Sequence, residues 1–311
     1  FLASADERFR PTQMALGPDG ALYIADMYHG IIQHGSYMTP YLKEQNLKRK
    51  LDAPIHMGRI WRIVPKGKNI KKVQILVIHH SSYYDLGKIE ESIDEQTKMV
   101  FIANPNNPTG TLLEKSSLSD FCERASDRTI VFCDEAYYDY IEEPDYPSMD
   151  YLVRAGKNVI VSRTFSKVYG MAGLRIGYLV LKPELADKLF GEYSPYGRNK
   201  IMAQTNVLAV AAASEALKDK EFYSFSLKKA IQEKDKIYKL LDHLELKYVK
   251  SSTNFVFFES KTHIDNLSKE MLDKGVRIGR PFPPFYDWCR ISTGTSQEVD
   301  KFVSAMLDLY S

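Results

Sequence analysis

From residue 70 onward, short unbroken apolar runs alternate with amphipathic stretches. The runs "VQILVI", "KMVFIA", "TIVFCDEAYY", "NVIVSRTFS" and "LRIGYLVL" have the length and β-branched content of buried strands, and "EKSSLSDFCERAS" spaces its apolar positions as a helix does. This alternation predicts an α/β domain over 70–215, built on a mainly parallel sheet with crossover helices. Beyond it the pattern lengthens. "NKIMAQTNVLAVAAASEALKD" and "KEFYSFSLKKAIQEKDKIYKLLDHL" predict long helices. They are followed by strand "TNFVFFES", helix "HIDNLSKEMLDKG", strand "WCRIST" and a closing helix for which Thr295 and Glu298 supply a capping box. That order predicts a smaller α+β domain over 216–311. Residues 1–67 have another texture: "GPDGALYIAD" reads as a turn and an alternating strand, and "GRIWRIV" as a second strand. The basic stretch between them, "YLKEQNLKRKLD", reads as a solvated face.

Composition narrows the partners. The 42 basic and 40 acidic residues leave a formal charge of +2 over 311 residues, which gives no field to recruit nucleic acid or an anionic membrane. Small molecules are the expected partners. No apolar run approaches the ~20 residues of a membrane span. Cys122, Cys133 and Cys289 are widely spaced, with no CxxC pair, so the pattern suggests neither a disulfide framework nor a zinc site, and a reducing, cytoplasmic setting is expected. His79 and His80 have no ligand-spaced carboxylate or cysteine nearby, which suits a loop or packing role rather than a metal. The chain opens mid-pattern at Phe1, as one cut at its front would.

Three motifs fall at the C-terminal ends of predicted parallel strands, where open α/β sheets bind ligands. "NPNNPTG" spans 104–110, "DEAYYDY" starts at Asp134, and Lys167 stands in "SRTFSKVYGMAGLRIGYLV" with Arg175 eight positions on. Taken singly, each has a plain explanation: a proline-rich turn, an acid capping the next helix, a solvated lysine. Their shared placement at strand ends points to one site.

These strings, with "CRISTGT" near the end, make residues 70–311 similar to the fold type I pyridoxal-phosphate (PLP) aminotransferases and, within them, to the histidinol-phosphate aminotransferase group. The resemblance implies a homodimeric enzyme that moves an amino group between an amino acid or amino-alcohol phosphate and a 2-oxo acid. It assigns the Schiff-base amine to Lys167, the carboxylate facing the pyridinium nitrogen to Asp134, and hydrogen bonds to the ring's phenolic oxygen to Asn107 and Tyr137. Thr164, Ser166 and Arg175 take the cofactor phosphate by the same likeness. Arg290 matches the arginine that binds the substrate α-carboxylate, with a structural salt bridge as its alternative, and Arg280 stands near the arginine that holds a distal substrate phosphate. The family's glycine-containing phosphate loop and ring-stacking aromatic, which precede "NPNNPTG", are not recognisable, so a weakened dimer and a non-catalytic aminotransferase-like chain are also open. Residues 1–67 resemble part of a quinone-dependent sugar-dehydrogenase β-propeller, about one blade where closure needs about four to eight. A sugar-oxidising module is the third alternative.

Overall fold

A computed structural model describes residues 11–16, 22–26, 44, 48, 59–63, 74–77, 85–190 and 206–310. The chain divides into two compact units, 1–73 and 74–311. In the first, strands β1 (Pro11–Leu16), β2 (Leu22–Asp26) and β3 (Arg59–Ile63) form an antiparallel sheet in the order β1-β2-β3. The β2/β3 register pairs Ile24 with Trp61 and Tyr23 with Arg62. Within the charged stretch, exposed Glu44 and Lys48 pair at 2.6 Å, one helical turn apart. His79 and His80 lie outside the described residues.

The second unit holds a five-stranded sheet of β4 (Gln74–Val77), β5 (Thr97–Ala103), β6 (Ile130–Asp134), β7 (Val159–Thr164) and β8 (Gly177–Val180), in that order. Strands β4 to β7 are parallel. The last, β8, runs antiparallel to β7, so the sheet is mixed. The crossovers carry α1 (Leu86–Glu91), α2 (Lys115–Arg128) and α3 (Asp150–Arg154). Val100, Ile102, Val131, Cys133, Val159 and Val161 of the strands are buried against Leu118, Phe121, Cys122 and Ala125 of α2 and Leu152 of α3. Burying a Val, Ile, Leu or Phe side chain among these stabilises by about 1.5–3 kcal/mol. Glu114 starts α2, and its carboxylate accepts the Ser116 and Ser117 backbone N–H groups at 2.9 and 2.7 Å.

After α4 (Pro183–Phe190) and α5 (Val207–Ala216) comes the longest described helix, α6 (Lys220–His243). A separate antiparallel sheet follows: β9 (Tyr248–Val249), β10 (Phe255–Glu259) and β11 (Trp288–Ser292), with β10 central. Helices α7 (Ile264–Asp273) and α8 (Ser296–Tyr310) join α6 around it. Ile237 and Leu241, Val256 and Phe258, Leu267 and Met271, and Phe302 and Met306 form its core. The capping box of α8 is present: the Thr295 N–H donates to Glu298 Oε2 at 2.8 Å, and the Glu298 N–H donates back to Thr295 Oγ1 at 3.3 Å.

Candidate active site

The sheet's C-terminal edge assembles the site. Strand β5 runs into Asn104–Gly110, and that loop is shaped by its own side chains. Asn104 Oδ1 accepts the Leu113 N–H at 2.9 Å, and its Nδ2 donates at 2.8 Å to Tyr146 Oη, which donates to the Leu113 carbonyl at 2.7 Å. Burial raises the Tyr146 hydroxyl above its ordinary range, so it stays a neutral donor. Gly110 has φ +77°, and its carbonyl accepts the Ser252 N–H at 2.8 Å. A Cβ there would lie 2.3 Å from Ser251 Oγ, so the backbones meet only because this position has no side chain. The loop is thereby docked on the turn before β10. At its tip, Asn107 Oδ1 accepts Arg290 Nη1 from β11 at 2.6 Å.

Strand β6 ends at Asp134. Its Oδ1 accepts the Ala136 N–H at 3.1 Å and Ser162 Oγ of β7 at 3.0 Å, the two residues being register partners across the parallel pair. The next residue, Glu135, is buried and paired with Arg163 at 2.7 Å, while Ser148 Oγ and the Met149 N–H also donate to its carboxylate. Burial raises the Glu135 carboxyl even against that cation. The Arg163 guanidinium lies 3.9 Å from the Tyr138 ring centroid. Strands β6 and β7 are thus clamped together just where they deliver Asp134 and Thr164.

Beyond β7, Thr164 Oγ1 accepts the Ser166 N–H at 3.1 Å, and Lys167 Nζ stands 4.8 Å from the Tyr137 ring centroid. Tyr137 meets Phe255 edge-on at 5.3 Å. Phe255 lies 4.9 Å from the Arg290 guanidinium, Phe282 flanks that guanidinium at 4.8 Å, and Arg280 stacks on Phe282 at 4.4 Å. A continuous line of contacts therefore runs from Lys167 to Arg280. No carboxylate pairs with Lys167, Arg280 or Arg290 among the described residues. Arg290 Nε is buried without a hydrogen-bond partner. Burial lowers the basicity of Arg290 from the ordinary guanidinium value, and Arg280 acts in the same direction. A partly buried guanidinium with no carboxylate partner and a spare donor retains the capacity to bind an anion.

Lys167, Tyr137, Asn107, Arg290 and Arg280 are thus brought together, with Asp134 on the neighbouring strand end. Arg175 is placed otherwise: at φ +53° before β8, its exposed guanidinium donates to the Ala172 carbonyl at 3.0 Å, and no contact among the described residues joins it to Thr164 or Ser166. Ser162, Phe255, Phe282 and the Glu135–Arg163 pair were not singled out from the sequence. Parallel register carries the signal for Ser162, since a hydroxyl on the strand beside an acid-ending strand faces that acid.

A mixed, mostly parallel α/β sheet with a lysine and a carboxylate at its strand ends, and an arginine supplied by a smaller antiparallel sheet, is the architecture of the fold type I transferases. Residues 61–306 match the family model of class I and II aminotransferases, and the chain belongs to that family. It is 37% identical over 230 residues to a histidinol-phosphate aminotransferase of Moorella thermoacetica, covering 73% of this chain and 57% of the relative. A histidinol-phosphate aminotransferase of Bacillus licheniformis is 35% identical over 247 residues, 78% of this chain and 65% of the relative. The chain therefore spans about three fifths of the length of these curated relatives. Among solved structures, histidinol-phosphate aminotransferase from Sinorhizobium meliloti, in complex with pyridoxal-5'-phosphate, superposes with a TM-score of 0.64 at 24% identity, covering 75% of this chain and 63% of that one. Residues 1–67 match a domain of unknown function, DUF7133. The propeller resemblance is not borne out. Two alternating strands and a turn specify a small antiparallel sheet, as β1 to β3 form, and such a sheet is not particular to propellers.

Proposed function

We propose that this chain is a PLP-dependent aminotransferase, acting on an amino acid or amino-alcohol phosphate of histidinol-phosphate-like or aromatic character and on a 2-oxo acid. The observation that carries this reading is Arg290: a partly buried guanidinium with a free buried donor and no protein carboxylate, held by Asn107 and linked through Phe255 to Tyr137, over which Lys167 stands. The residues fit the cofactor. Asp134 Oδ1 is saturated by two donors while no donor reaches Oδ2 among the described residues, which leaves one carboxylate oxygen for a protonated ring nitrogen. PLP, when bound, supplies an electron sink for the substrate's α-carbon electrons.

The chain's own groups do the rest. Lys167 provides the nucleophilic amine, and its Nζ, on a flexible arm, carries the proton between carbon atoms. Asn107 and Tyr137 would donate to the phenolic oxygen, and Thr164 and Ser166 would hold the phosphate, whereas Arg175, turned to the Ala172 carbonyl, is left out of that set. Arg290 binds the substrate carboxylate with its planar fork. Arg280, across Phe282, takes a distal anion. Three free, buried cysteines suit a cytoplasmic, reducing setting, and a homodimer is the assembly we infer.

The test is to add excess PLP, reduce with borohydride and map the phosphopyridoxyl adduct by peptide mass. The label is expected on Lys167 and is expected to vanish in Lys167→Ala. A label scattered over surface lysines and indifferent to that substitution would favour a non-catalytic, aminotransferase-like chain instead.

A further inference from the structure

Asp134 would meet the cofactor's ring nitrogen with one carboxylate oxygen, and what aims that oxygen is on the neighbouring strand. The Ala136 N–H donates to Oδ1 at 3.1 Å, a local contact two residues on that follows the chain as it leaves β6. The other donor, Ser162 Oγ at 3.0 Å, comes 28 residues later, from a strand whose backbone is fixed in register with β6. That strand is held to β6 on either side of the contact by register pairing of Cys133 with Val161 before it, and after it by the Glu135 N–H, which donates to the Ser162 carbonyl at 3.0 Å, and by Arg163, which closes on Glu135. A carboxylate with one local donor can still rotate about its own axis. A second donor on a rigid neighbouring strand stops that rotation.

We infer that Ser162 is a positioning residue for the cofactor. Its hydroxyl donates to Asp134 Oδ1, fixes the carboxylate plane and keeps Oδ2 turned toward the ring nitrogen. Ser162 itself need touch neither the reacting atoms nor the cofactor, since it acts only through Asp134. Its contribution therefore exists only when there is a ring nitrogen for Asp134 to meet. A hydrogen bond to a charged group contributes enough that its loss weakens the bound partner by about tenfold or more.

This inference rests on the PLP reading above, and its test separates the two. Dissociation constants are measured by absorbance titration of the full chain with PLP and with 1-deaza-PLP, in which C–H replaces the ring nitrogen. Ser162→Ala is expected to weaken PLP about tenfold and to leave the deaza analogue within about twofold of wild type. Ser162→Thr keeps a hydroxyl and is expected to retain PLP affinity, whereas Ser162→Val, of the same shape, is expected to behave as Ser162→Ala. The Thr and Val pair keeps the test decisive if shortening the side chain disturbs the strand. An equal loss for both cofactors, or no loss for PLP, would overturn the role given to Ser162 while leaving the cofactor reading standing. Failure of the wild-type chain to bind PLP at all would overturn both.

Discussion

Arg290 shows how a residue type and its surroundings share the chemistry. A lysine could supply the charge. Only a guanidinium can stack between Phe255 and Phe282, accept the orientation that Asn107 imposes and still present a planar fork. Arg290→Lys is therefore expected to keep the fold and raise KM for the carboxylate substrate about 10- to 100-fold, with a smaller fall in kcat, since binding rather than proton transfer is impaired. Steady-state kinetics on the PLP-loaded chain checks this, and an unchanged KM would refute the assignment. The Glu135–Arg163 pair is a different kind of charge. It is buried, closed on itself and saturated by Ser148 and Met149, so it holds strands together and is not available to a ligand.

At the scale of elements, the start of α2 makes a pH-dependent contribution. The Ser116 backbone N–H is the largest cause holding the Glu114 carboxyl down to about 2, joined by the Ser116 hydroxyl and by the backbone and hydroxyl of Ser117. A carboxylate whose folded value is depressed stabilises fully above its ordinary range, and loses that contribution as pH falls through the folded value. The helix start is thus expected to weaken between about pH 4.5 and 2. Glu114→Gln should flatten this part of the stability profile in acid unfolding followed by circular dichroism, and a profile identical to wild type would count against the cap.

The parallel strands β5, β6 and β7 and the helices α2, α6, α7 and α8 were legible because their apolar runs are long and their periods distinct. The direction of β8 was not, since "LRIGYLVL" looks the same whichever way it pairs. Short α1 and α3 escaped because two turns or fewer carry little periodicity. Asp134, Lys167 and Arg290 could be read from strings in the chain. The aromatic line from Tyr137 through Phe255 to Phe282 could not, because it exists only once β10 has packed beside the strand ends.

At the scale of the molecule, most of the large exposed apolar side chains among the described residues fall between residues 174 and 225 in sequence. Val207 and Leu208 open α5 at 79% and 76% exposure, and Phe225 stands at 58%, with Leu174, Tyr178 and Leu179 also exposed. We infer that these side chains contribute to the contact surface of the homodimer proposed above, since large exposed apolar side chains favour burial against a partner. Sedimentation velocity is expected to show association that grows with concentration. Val207→Asp combined with Leu208→Lys should weaken it at least about tenfold, equivalent to about 1.4 kcal/mol. A wild-type chain that remains a monomer at all concentrations would contradict this.

Lys234 is 2% exposed, with its ammonium donating to Glu142 Oε1 at 3.0 Å and to the Ser251 carbonyl at 2.9 Å, a bridge from α6 to both the loop after β6 and the turn that receives Gly110. An amine-acylating reagent in solution cannot reach this nitrogen while the bridge is closed. The chain consequently carries an internal clock of its own opening: surface lysines acquire the label at once, and Lys234 acquires it only as the bridge it closes comes open.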